Sequence, residues 1–205
     1  MRQPVMAAVC LVASTSLTAS EKTREAVIID NPSVRVFRTS RAPDPAGHPA
    51  AVVVPLQDGP ARKAGEAYWT GDPQVGPKNR EPGPFVVVEP RSAAPPAAPG
   101  SAGEKGTKPG EQPATGLSFR PLFENGRVAV LRARMEVGAK EGFHTHARDI
   151  VVVHLSGGAV EDTAEGVTTV NHWKRGDVEF EGRGTSHSAR NAGDAIEVVL
   201  VTLKP

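Results

Sequence analysis

The stretch GAKEGFHTHARDIVVVHLSG, residues 138–157, decides how this chain is read. In His144-Thr-His146 two imidazoles are two residues apart, and on a strand alternate residues share a face. The following Ile150 to Leu155 is a β-branched run closed by Gly157, the composition of a short strand ending in a turn. On such a strand His154 shares the face of Ile150. A third imidazole must then come from a neighbouring strand. His187 follows the Gly182-Arg-Gly184 turn, which can return its strand beside the first. Three neutral imidazoles at one point with a free position form a known type of catalytic metal site. Alone, a His-x-His pair is as often a surface or core pair.

Outward from this stretch the same texture continues. Val34 to Phe37, Val52 to Leu56, Phe85 to Val88, Val128 to Leu131 and Val198 to Val201 are short apolar runs separated by Gly, Pro and Asp. No helical period of any length interrupts them, which predicts an all-β sandwich or barrel. Residues 91–116, RSAAPPAAPGSAGEKGTKPGEQPATG, cannot bury enough apolar surface to order themselves and are expected to be a protease-sensitive linker, with Lys105 and Lys108 as trypsin sites.

The two sides of that linker resemble each other. Val34-Arg-Val-Phe matches Val128-Ala-Val-Leu, and Val52-Val-Val-Pro-Leu matches Val151-Val-Val-His-Leu. Trp69 before Gly71-Asp72 matches Trp173 before Gly176-Asp177, and Asn79 matches Asn191. The shared order reads as an internal duplication. His144, His146 and His187 fall in segments where the second copy is longer. Of the six histidines the first copy keeps only His48, so it reads as the same fold without the site.

Composition bounds the remainder. The 205 residues are 39% apolar and carry 24 basic and 23 acidic side chains, a formal +1, scattered without a single-sign run. That gives no footprint for nucleic acid or anionic lipid. Arg2, the apolar Val5 to Val12 and the small residues Thr18 to Ser20 read as a signal peptide over residues 1–20, the competing reading being the frayed start of a strand. Export makes the protein secreted or periplasmic, with no membrane association after processing. Without it the protein is cytoplasmic. Cys10, the sole cysteine, lies in that segment, so a mature chain forms no disulfide.

With these motifs in place a resemblance is evident. Gly138, five residues, His144-Thr-His146, three residues, Ile150, six residues and Gly157 resembles the first motif of the cupin superfamily, with Ile150 where a Glu is usual. Gly176, five residues, Gly182-Arg-Gly184, two residues, His187, three residues and Asn191 resembles the second, with Gly182 in place of Pro. The resemblance implies a bicupin: two jelly-roll β-barrels joined by the linker, a degenerate one at 21–90 and a metal-binding one at 117–205. It implies that His144, His146 and His187 ligate one divalent ion, with Zn, Fe, Mn, Cu and Ni all open. Asp149 can supply the missing carboxylate only through a bulge, because a one-residue slip turns a side chain to the other face. His154 is the candidate acid, base or hydrogen-bond donor of the pocket, its alternative being a barrel-interior histidine satisfied by backbone or water. The expected function is that of a metalloenzyme acting on a small organic substrate by dioxygenase-like or Lewis-acid chemistry. A non-catalytic small-molecule or metal-binding cupin is the alternative, and a homodimer is an open option.

Overall fold

A computed structural model describes residues 25–44, 47–75, 82–91 and 114–205. The expected signal peptide with Cys10, Asn79, and the linker lysines Lys105 and Lys108 lie outside the described residues. Thirteen strands are described, in two antiparallel sheets. The first half forms β1 (Ala26–Asp30), β2 (Val34–Arg41), β3 (Val52–Pro55), β4 (Tyr68–Trp69) and β5 (Pro82–Pro90), ordered β1-β2-β5-β3-β4. The second half forms β6 (Thr115–Glu124), β7 (Val128–Thr145), β8 (Ile150–His154), β9 (Gly158–Ala164), β10 (Val167–Trp173), β11 (Val178–Glu181), β12 (Ser186–Asn191) and β13 (Ile196–Leu203). Its order is β10-β9-β12-β7-β13-β8-β11, with β6 added on β7. This curled antiparallel sheet is a jelly-roll barrel of the cupin type.

The two halves follow the same pairing register. Val36 pairs with Val88, which pairs with Val52; Val130 pairs with Val201, which pairs with Val151. The path β1-β2-β5-β3-β4 thus recurs as β6-β7-β13-β8-β11, and Val34 and Val128 take equivalent places. One expectation is corrected. Trp69 pairs with Val52 as Phe180 pairs with Val151, so Trp69 corresponds to Phe180 and not to Trp173. The turn equivalent to Gly176 is then Gly65, and both glycines have positive φ, 84° and 75°. Trp173 lies in the β9–β10 hairpin, for which the described first half has no counterpart. A Gly-Asp turn shortly after a tryptophan occurs in both halves without structural equivalence, because turn dipeptides are interchangeable.

Continuous valine runs, rather than alternating ones, are explained by burial on both faces. Val52 and Val54, Val86 and Val88, Val151 and Val153, and Val199 and Val201 share one core between the two sheets. The opposite face of the first sheet buries Phe37, Val53, Tyr68, Phe85 and Val87. The opposite face of the second, with Ile150, Val152, His154, Val198 and Leu200, lines a cavity. The halves also clasp each other reciprocally. A side chain on Gly65 would collide with Leu155 Cδ1, and one on Gly176 would come within 2.8 Å of Leu56 Cδ1. Leu56 and Leu155 are equivalent residues, as are Arg38 and Arg132. Arg38 Nη2 donates to the Gly176 carbonyl at 2.7 Å, and Arg132 Nη1 to that of Ala64 at 3.2 Å.

Candidate metal centre

His144 comes from the end of β7, His146 from the residue just beyond it and His187 from β12. The strands are antiparallel and His144 faces His187 in register. Register is held by the Gly182–Thr185 turn: the Gly184 amide donates to the His146 carbonyl at 2.8 Å and the His146 amide to that of Thr185 at 2.9 Å. Beside them the Thr145 and Ser186 hydroxyls share a hydrogen bond of 2.7 Å. One ligand atom from each imidazole lies within 4.8 Å of the others. The His146 and His187 Nε2 atoms are 3.0 Å apart.

The opposite ring nitrogens are tied back. His187 Nδ1 lies 2.8 Å from Asp162 Oδ1, on β9, and His144 Nδ1 is 3.0 Å from the Gly142 carbonyl. With Nδ1–H donated, the Nε2 lone pairs of His144 and His187 turn inward, the arrangement by which outer groups fix metal-binding imidazoles.

A residue that motif spacing did not disclose completes the cluster. Glu181, on β11, pairs directly with Ile150 across the β8–β11 ladder. Its Oε2 is 3.6 Å from His146 Nε2 and its Oε1 4.0 Å from His187 Nε2. The carboxylate absent at Ile150 is therefore offered from the next strand. Asp149 does not supply it: Asp149 Oδ1 accepts the Arg183 amide at 2.7 Å. The signal available in the sequence was Glu179-Phe180-Glu181, alternation with acids on the face that here turns inward.

The electrostatics fit a cation. Burial, then Glu179, Glu141 and Asp162, push the Glu181 carboxyl up to about 8. Burial, then Asp162 and Glu141, raise Glu179 to about 7. Burial, then His144 and His187, lower His146 to about 4. A crowded neutral His146 and half-buried acids are what a divalent ion would stabilise together, since it favours the deprotonated form of both. The donor set can hold one ion, with Zn, Fe, Mn, Cu and Ni all compatible with imidazole.

Behind the cluster the cavity encloses about 340 Å³. His154 lies in its wall, 3% exposed, stacked on Trp173 at 4.4 Å and 17°, with neither ring nitrogen hydrogen-bonded. Burial lowers it to about 4, so it is neutral at pH 7. His172 is exposed. His48 lies in the other half, 3.8 Å from Glu25 and 3.5 Å from Glu89.

What fold and site define together is a cupin-type barrel with a three-histidine centre able to take a metal. No family model matches the chain, and no curated protein does. Among solved structures it is similar to a cupin domain from Bordetella pertussis Tohama I, at 24% identity and TM-score 0.42, covering 46% of this chain and 99% of that one. It is also similar to an RmlC-like cupin from Shewanella frigidimarina NCIMB 400 (20% identity, 44% and 78% covered, TM-score 0.38). A polyketide cyclase from Streptomyces resistomycificus matches at 16% identity, 45% and 68% covered, TM-score 0.40. The fold assignment rests on the strand order and register above.

Proposed function

We propose that the C-terminal barrel is a metalloenzyme site for a small organic substrate, with His144, His146, His187 and Glu181 holding one divalent ion. The observation that carries this is the convergence of three imidazoles, two with Nδ1 tied back, on a half-buried carboxylate at the wall of a largely apolar cavity. An ion held there supplies Lewis-acid polarisation of a substrate oxygen, or activation of water or dioxygen, at a free coordination position. The chain's own residues do the rest. Asp162 and the Gly142 carbonyl orient the rings, and the β-branched wall excludes water. Neutral His154 offers one donor and one acceptor to whatever enters.

Metal analysis of protein purified without added metal tests this, with turnover screened on the loaded protein. Near-stoichiometric metal lost in His187→Ala supports the centre. Stoichiometric metal without turnover on any substrate tried would favour the non-catalytic binder. We further propose export, on the charged start, apolar run and small residues of positions 1–20. Recovery from the host cytosol with Met1 intact would refute it.

A further inference from the structure

The two halves share a strand path, so the first shows what else these positions can hold. By register His154 corresponds to Pro55, Glu179 to Tyr68, Glu181 to Thr70 and Val198 to Phe85. In the first half Tyr68 and Phe85 pack with Phe37, Val53 and Val87 into an apolar cluster. In the second half the aromatic positions are a carboxylate and a valine, and about 340 Å³ stays open. The strand path therefore does not require His154.

Three features of the void restrict what fills it. Leu117, Met135, Ile150, Val160, Val198 and Leu200 make much of its wall apolar. Its charged groups include four acids, Glu141, Asp162, Glu179 and Glu181; Arg134, which also reaches it, is held outside by Glu136 at 2.6 Å and Glu197 at 3.1 Å. The one cationic partner an anion could find there is the ion itself, already shared among three imidazoles and Glu181; elsewhere in the void an anion would lose hydration against acids and apolar wall. A cation would compete with the metal for the same carboxylates. His154, 3% exposed, keeps both ring nitrogens without a partner in the wall of this void, and buried polar atoms in folded proteins are normally paired.

Deepening the proposed function and resting on it, we infer that the cavity takes an uncharged, largely apolar small molecule bearing a hydroxyl or carbonyl group, and that His154 recognises that group. Trp173, stacked on the imidazole, fixes the ring plane. A hydroxyl serves either nitrogen, being donor and acceptor together.

The test uses the full chain, metal-stripped and metal-loaded, titrated calorimetrically with 1-naphthol and with 1-naphthoate, its anionic counterpart. On metal-stripped protein naphthol is expected to bind, and naphthoate to bind at least about tenfold more weakly. His154→Phe should lower naphthol affinity about tenfold, the worth of one buried hydrogen bond, while still taking up one metal per chain. Naphthoate binding as tightly as naphthol to stripped protein, no naphthol binding up to about millimolar, or unchanged affinity in His154→Phe would overturn the inference. Should His154→Phe fail to fold, His154→Leu makes the same comparison, and the two-ligand comparison needs no variant. Metal content is read separately, so failure of the metal centre and failure of the ligand class are distinguishable.

Discussion

Glu181 stands opposite Ile150 on the adjoining strand, and its carboxyl reaches the imidazoles that a carboxylate at Ile150 would serve. Exchange across the ladder is therefore testable. Glu181→Gln should weaken metal binding by more than about 10- to 100-fold, the order seen when a carboxylate that only supports a ligand is lost. Adding Ile150→Glu to that variant should recover much of the loss, since the acid returns from the opposite strand. Metal titration of both proteins checks this, and no recovery would mean that the Ile150 position does not face the ion.

His187→Ala, His144→Ala and His146→Ala should each remove most bound metal and abolish the rise in melting temperature on metal addition. A ligand at 100 times its Kd stabilises by about 2.7 kcal/mol, which sets the size of the rise in the parent. His48→Ala should leave metal content unchanged. Asp162→Asn should retain some binding at about 10- to 100-fold lower affinity, because it orients His187 without being a ligand.

His154 gives a pH signature with a definite sign. Its folded pKa is pushed down to about 4 from 6.5 by burial. The stability tied to its neutral form is complete above pH 6.5 and is lost as pH falls towards 4. The full effect is on the order of 3 kcal/mol, from about 1.4 kcal/mol per pH unit. The raised acids Glu179 and Glu181 act oppositely, contributing below about pH 4.5 and losing that contribution as pH rises through 7 to 8. Denaturant unfolding of metal-free parent and His154→Phe from pH 4 to 7 isolates the histidine. The parent should lose more stability on acidification, and parallel curves would contradict the assignment.

Gly65→Ala should destabilise by about 1–3 kcal/mol, through positive φ and collision with Leu155 Cδ1. Leu155→Ala should cost about 2–5 kcal/mol alone. Together they should cost less than their sum, because truncating Leu155 removes the obstacle. Strict additivity in thermal or denaturant unfolding would show that the close approach relaxes at no cost.

The valine runs were legible because strands buried on both faces lose the alternation of half-exposed ones. His144, His146 and His187 were legible because their spacing places two on one strand face and the third beyond a glycine turn. Glu181 was not, since one acid in Glu179-Phe180-Glu181 reads as the wet side of a strand until the ladder with β8 shows which side is inward. Trp69 was misplaced for a related reason. Equivalence between repeats is defined by register, and Val52 chooses Trp69 as Val151 chooses Phe180. The shared core between the sheets also lay beyond sequence patterning, which shows that both faces of Val52 to Val54 are apolar but not what covers each.

The reciprocal seating of Leu56 over Gly176 and Leu155 over Gly65 makes the half without a metal centre the permanent counterpart of the half that has one. A separate subunit in that role would detach on dilution, and the barrel behind β8 and β13 would lose its backing with it. Here the counterpart is encoded in the same polypeptide, so integrity of the centre is first-order in protein. At a fixed free-metal concentration, fractional ion uptake should thus not change as the protein is diluted.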